Sequence, residues 1–155
     1  MTSTKKAQKN PNATIKKQKE LNSQFKHALP SLSDESNRRK LAKMLISLFK
    51  RWQLDTASQL NLLGLSETSQ FLLGMYAEGK EPLPDNRDTL DRVGWLLRIH
   101  KSLRLLYPKN ESFRYDWVNK HNEKFDNLTP LDVMKTQGLL GVAEVARYLD
   151  SLKGR

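Results

Sequence analysis

The sequence predicts an all-α protein with a basic N-terminal segment, a helical body and a long central helix joining the body's two halves. Three observations carry this expectation. No stretch sustains the period-2 alternation of a half-buried strand, whereas apolar residues from Leu41 onward recur at helical spacing. Residues that stop or restart helices fall at short intervals, at Gly64, Gly79, Pro108, Pro130 and Gly138. Charge is uneven: of a net +10 over 155 residues, positions 1–34 hold seven lysines against Glu20 and Asp34.

The basic segment comes first. Between Met1 and Gln24 the sizeable apolar side chains past the initiator are Ile15 and Leu21. So little apolar surface cannot offset the entropy of ordering, so residues 1–33 read as a flexible tail. Its lysines either solubilise the chain or supply sequence-independent contacts to nucleic-acid phosphates.

The helices follow in order. Leu41, Met44, Leu45, Leu48, Phe49 and Trp52 form one apolar stripe, predicting a helix over about 36–52. Asp55 is a good N-cap for a short helix to about Leu62, and Gly64 suits its left-handed end. Ser66 caps a further helix, about 67–78, ended by Gly79. The pair matches a helix-turn-helix. A proline-punctuated connector, 80–87, leads to a central helix that Asp88 caps and that runs to about Tyr107, stopped by Pro108. That helix carries Leu90, Val93, Trp95, Leu96, Leu97, Ile99, Leu103, Leu105 and Leu106, so it is apolar nearly all round. It must be covered by both halves of the body or by a second subunit, and Trp95, Leu96, Ile99 and Leu103 are assigned to that core or dimer contact. His100, on the same helix, reads as a core or interface residue.

Asn110 caps a helix of about 111–119 bearing Phe113 and Trp117, and a polar loop spans 120–128. In Thr129-Pro130-Leu131-Asp132, threonine caps, proline takes the first turn and Asp132 faces the positive helix end. Gly138 breaks this helix, and the last one, about 139–152, repeats Val142, Val145, Ala146, Leu149 and Leu152. The expected division is a tail (1–33), a helix-turn-helix domain (34–87), the central helix (88–107) and a C-terminal domain (108–155).

Catalytic chemistry finds little support. The absence of cysteine excludes a disulfide framework and a thiol nucleophile. His27, His100 and His121 match no metal-ligand spacing, and no glycine-rich phosphate loop occurs. A non-enzyme without cofactor or metal is expected. No apolar run approaches the roughly 18–20 residues that span a bilayer. The basic, polar start lacks the apolar core of a secretory signal. Both point to the cytoplasm and away from a membrane partner. Ser66, Thr68, Ser69 and Gln70 could contact bases or phosphates from the second helix of the pair. That helix has no Lys or Arg and begins with Glu67, so Lys80, Arg87 and the tail would have to supply the electrostatics. The unit either binds DNA or serves packing and dimerisation.

Residues Leu45–Asp150 resemble the Xre/MbcA/ParS-type antitoxins of bacterial toxin–antitoxin pairs. The likeness rests on Leu62-Leu63-Gly64-Leu65-Ser66 in the Xre-like helix-turn-helix. It rests also on Asp116-Trp117-Val118, Leu128-Thr129-Pro130-Leu131-Asp132, Gly138 and then Val145, Tyr148 and Leu149 in a toxin-binding half. The family usually has glycine near Asn127, and asparagine also tolerates a left-handed backbone. The resemblance implies a RES-domain toxin that consumes NAD and is neutralised by direct binding. It further implies a homodimer within a hetero-oligomer, and repression of the chain's own operon through operator DNA. Toxin-contacting residues are then expected at Trp117, Pro130, Val145, Tyr148, Leu149, Leu152, Lys153 and Arg155. Trp117 and Pro130 would also shape the domain. Residues 148–155 are pictured as a free apolar edge with an unstructured charged end that plugs the toxin's cleft, removable without unfolding the body. Arg155 would place its guanidinium on an acid and its terminal carboxylate where a phosphate of the dinucleotide sits; otherwise 153–155 is a frayed end. The alternatives are a helix-turn-helix regulator with no toxin partner, or a nucleic-acid-packaging protein driven by the tail.

Overall fold

A computed structural model describes residues 12, 13, 15–17 and 32–154. The chain divides into two units, Met1–Ser31 and Leu32–Arg155. Of the first, the described residues are helical; otherwise the expected tail lies outside the described residues, as does Arg155. In the second, the described residues are helices and connectors, without a strand.

Helix α1, Glu35–Arg51, opens on Asp34, whose carboxylate accepts the Ser36 N–H at 2.8 Å. Glu35 in its first turn and Lys50 and Arg51 in its last complement the helix dipole. Its buried stripe is Ala42, Leu45, Ile46, Leu48 and Phe49, continued by Trp52. Met44 departs from the sequence reading. It is 54% exposed, because the stripe centres on Leu45 and Phe49 and leaves position 44 on the flank, at the edge of a cleft described below.

Helix α2, Thr56–Leu63, is capped by Asp55. The carboxyl of Asp55 is held below its ordinary range, chiefly by hydrogen bonding from Ser58. Gly64 ends the helix at φ +70°, with the Leu65 N–H closing on the Leu60 carbonyl. A Cβ at Gly64 would also meet the Arg92–Asp88 ion pair at under 3.0 Å. Ser66 then caps a 3-10 turn, Glu67–Ser69, that feeds α3, Gln70–Ala77. The expected helix thus starts with a tighter turn. Gly79, also left-handed, closes this unit.

The connector after Gly79 is tied to α1. The Arg38 guanidinium, largely shielded, donates to the carbonyls of Leu83, Leu32 and Ser33 and pairs with Asp85. Leu83 is buried beneath it. Helix α4, Arg87–Leu106, is capped by Asn86, whose side chain accepts the Thr89 N–H at 2.9 Å. The cap expected at Asp88 therefore lies two residues earlier, and Asp88 instead pairs with Arg92 one turn on. The buried stripe of α4 is Thr89, Val93, Leu96, Ile99, Ser102 and Leu103. Leu90, Trp95, Leu97 and Leu106 are only partly covered and Leu105 is exposed, so α4 is less uniformly buried than its composition suggested.

Asn110 caps α5, Glu111–Asp116, which runs into a 3-10 turn, Trp117–Asn119. A second such turn, Glu123–Phe125, ends on two successive left-handed residues, Asp126 and Asn127. Asparagine's tolerance of that conformation fits position 127. Helix α6, Pro130–Lys153, begins with a reciprocal capping box. The Thr129 hydroxyl accepts the Asp132 N–H at 3.0 Å, and the Asp132 carboxylate accepts the Thr129 N–H at 3.4 Å. Gly138, at φ +61° and ψ −140°, kinks α6 where the sequence marked a break. The kink turns the second limb back so closely that a Cβ at Gly141 would lie 2.3 Å from the Val133 carbonyl oxygen. Helix α4 packs chiefly on α6 and also touches α1 and α2. It is thereby covered from both halves of the body.

Candidate functional site

The C-terminal unit is built around aromatic side chains. Trp117 and Val118, in the turn after α5, are buried, and the Tyr148 ring stacks on Trp117 at 6.4 Å between centroids. Phe125 meets Tyr148 edge-on at 5.3 Å. Pro130, Val133, Met134, Val142, Val145, Ala146 and Leu149 complete the packing from α6. Asn119 anchors the turn to the first half by donating to the Trp52 carbonyl at 2.7 Å.

This packing covers several of the residues expected from sequence to meet a partner. Trp117, Pro130, Val145 and Leu149 are buried in the chain's own packing. Tyr148 and Leu152 are partly covered against the same core. The last turn is not a free end: α6 stays helical to Lys153. Lys153 pairs with Asp150 at 2.8 Å, and Asp150 also receives Arg98 of α4 at 2.5 Å and the Ser102 hydroxyl at 3.3 Å. These partners, Lys153 foremost, hold the Asp150 carboxyl below its usual range. Cutting the chain at residue 148 would therefore remove a fully buried leucine and an interhelical clamp. Such a truncation is expected to destabilise the body.

What the unit exposes is different. Leu140, just past the kink, is 79% exposed, and Leu128, just before the capping box, is also largely open to solvent. They bracket the first limb of α6. In the sequence Leu128 stands out only as part of the Leu128-Thr129-Pro130 motif and Leu140 not at all, although a signal existed. Two leucines in succession at 139–140 cannot both join the stripe of Val142, Val145, Ala146 and Leu149.

A family model described as the antitoxin Xre/MbcA/ParS C-terminal toxin-binding domain matches residues 102–155. Uncharacterized protein y4oB of Sinorhizobium fredii (strain NBRC 101917 / NGR234) is 34% identical over 104 residues, covering 67% of this chain and 77% of that protein. The chain belongs to the Xre/MbcA/ParS antitoxin family. No solved structure matches it. The matched domain of the antitoxin begins in α4 at the buried Ser102 and takes in α5, both 3-10 turns and all of α6.

In the other half of the antitoxin, α2 and α3 stand as a helix pair around Gly64. Ser66 and Thr68 lie at the start of the second helix and are turned on each other, their hydroxyls 3.0 Å apart. Gln70 is exposed, Ser69 half-buried, and Phe71 beside them is 68% exposed. No Lys or Arg occurs between Trp52 and Gly79. Lys80 and Arg87 lie beyond the pair on the connector and the first turn of α4, and each meets an acid, Glu78 at 2.6 Å and Asp91 at 3.7 Å. On the central helix, Leu96, Ile99 and Leu103 are wholly buried within the chain. Trp95 is half-buried between the guanidiniums of Arg98 and Arg147, 5.4 and 5.5 Å from its ring. No helix among the described residues is long and apolar enough to cross a membrane.

His100 lines a cleft between α1, α4 and α5 and stacks on Tyr115 at 6.0 Å. Burial, and then the neighbouring Arg104, Arg114 and Arg51, push its pKa below the ordinary 6.5. The folded chain thus binds fewer protons there than the unfolded chain. This contribution to stability is present above pH 6.5 and is lost as the pH falls toward the folded value. The midpoint of thermal unfolding is expected to fall between about pH 7 and 5, and His100→Gln to flatten that limb. An unchanged pH slope in the variant would rule out the imidazole as its source.

Proposed function

We propose that this antitoxin neutralises a RES-domain toxin by laying its C-terminal unit over the entrance of the toxin's NAD site. One observation carries the reading: the matched toxin-binding domain exposes Leu140 and Leu128 around a rigid, capped helix limb. Exposed apolar side chains on a preorganised element are the usual anchors of a protein interface. The protein acts as a stoichiometric binder, not as an enzyme, and works in the cytoplasm as a homodimer within a larger complex. The functional division is a basic arm (1–33), an Xre-like half (34–87), the joining helix (88–107) and the toxin-binding half (108–155).

Co-expression with the product of the adjacent gene, scored by growth and cellular NAD, tests this. A RES-like neighbour that depletes NAD alone and is silenced by this chain supports it. A neighbour without toxicity favours a helix-turn-helix regulator lacking a toxin partner. The end of α6 can be examined separately. Deleting 153–155 spares the buried Leu149 and the Arg98–Asp150 pair, so the body remains folded. Loss of NAD protection is expected if the charged end enters the cleft, and full protection by the shortened chain removes that part of the mechanism.

Repression of its own operon is the second proposed role. The exposed start of α3 with Gln70 supports contact with operator DNA, while the lysines of 1–33 provide the phosphate contacts that α2 and α3 lack. Two helix pairs in one complex would engage two half-sites together. If the arm makes about five phosphate contacts, DNA affinity falls with a log–log salt slope of about −4 to −5. Deleting 1–33 should shrink that slope; a slope indifferent to the deletion excludes the arm from binding.

A further inference from the structure

The cleft that holds His100 has a volume of about 340 Å³ and gathers three guanidiniums from three elements: Arg51 of α1, Arg104 of α4 and Arg114 of α5. Among the described residues one carboxylate pairs with any of them, the exposed Glu111 at 3.5 Å from Arg51. Arg51 also donates to the Tyr115 hydroxyl at 2.6 Å. Arg51 and Arg114 both lie over the Tyr115 ring, at 5.0 and 5.3 Å. Among the described residues Arg104 has no acid partner within ion-pairing distance. Two buried nitrogens in the same cleft, His100 Nδ1 and Arg114 Nε, have no hydrogen-bond partner among the described residues. Buried polar nitrogens are nearly always paired, and each orphan is costly. Here both orphans sit among three guanidiniums that share one carboxylate, that of Glu111, and Arg114 otherwise donates to the Tyr107 carbonyl at 3.5 Å.

We propose that this cleft is a binding site for the phosphoryl group of a small molecule. A tetrahedral dianion accepts hydrogen bonds from several directions at once, which suits donors converging from three helices. A planar carboxylate is satisfied by one or two guanidiniums. The volume exceeds that of a phosphate and leaves room for an organic body against the side chains of Met44 and Leu97, which also line the cleft. A concave site of this size takes a small ligand, whereas a DNA duplex is too broad to enter. The donors come from both halves of the chain, with Arg51 in the Xre-like half and Arg114 in the toxin-binding half. An occupant would therefore brace one half against the other and connect the ligand's concentration to the geometry of the toxin-binding unit.

The test uses the full chain, with inorganic pyrophosphate as probe and succinate as the carboxylate comparison. Binding is followed by calorimetry and by the NMR signals of the Arg114 side chain and the His100 ring. Pyrophosphate should bind one per chain with a Kd of about 1 mM or tighter and shift both signals together. Arg104→Ala, at a side chain with no acid partner, should weaken binding by about tenfold or more without lowering thermal stability. Lys124→Ala, at an exposed residue outside the cleft lining, should leave it unchanged. The proposal is overturned if neither signal moves up to about 10 mM pyrophosphate. It is equally overturned if Arg104→Ala binds as well as Lys124→Ala, which would place the anion on other basic residues, or if succinate binds as tightly as pyrophosphate.

Discussion

Replacing Gly141 by alanine will destabilise the antitoxin by about 3 kcal/mol or more, although alanine is the better helix former. The kink at Gly138 folds the second limb of α6 over the first, and the space for a side chain at 141 is taken by backbone. An added Cβ would stand 2.3 Å from the Val133 carbonyl oxygen and 2.8 Å from the Gln137 Cβ. A carbonyl inside a capped helix cannot yield as a surface side chain can, so the limbs must separate and expose Val142, Val145 and Leu149. The internal comparison is Gly94→Ala on α4, where nothing lies within 4 Å of the added carbon. There the propensity term stands alone and should stabilise by up to about 1 kcal/mol. Denaturant unfolding of the two variants should give shifts of opposite sign. Equal shifts would mean that the two limbs do not approach as described.

Leu140→Asp should abolish toxin binding, with affinity falling by about a hundredfold or more, while the unfolding midpoint stays within about 0.5 kcal/mol of the parent. The side chain is 79% exposed, so the substitution removes almost no internal contact. In an interface it would bury a carboxylate without a partner. Leu149→Ala supplies the contrast. Leu149 is fully buried, and truncating such a leucine costs about 3 kcal/mol or more through lost transfer energy and the cavity left behind. Its binding defect, if any, should follow its folding defect. Direct binding assays with the purified toxin, paired with thermal melts, separate the two. Retained affinity in Leu140→Asp would remove this leucine from the interface.

The contrast between these leucines shows what was legible in the sequence. Helix boundaries were, because they are set by local chemistry: Asp55, Gly64, Ser66, Asn110, Thr129 and Gly138 act within one turn of themselves. The Asn86 cap was misassigned to Asp88 because both side chains can accept a backbone N–H, and the choice turned on the Asp88–Arg92 pair one turn later. Periodicity located the core well, but it says nothing of which residues reach a partner. Apolar residues on the stripe of α6, such as Val145 and Leu149, belong to the chain's own interior, whereas Leu140 is conspicuous only by lying off it. The cationic cleft could not be read at all. Arg51, Arg104 and Arg114 look like ordinary surface charges until α1, α4 and α5 pack together.

The most direct examination of the neutralisation mechanism is the NAD affinity of the toxin, measured free and with one equivalent of this chain. Coverage of the NAD entrance requires that nucleotide binding to the complex be lost, and that excess NAD and the antitoxin compete. A complex that binds NAD as well as the free toxin, yet no longer consumes it, would contradict occlusion by the C-terminal unit.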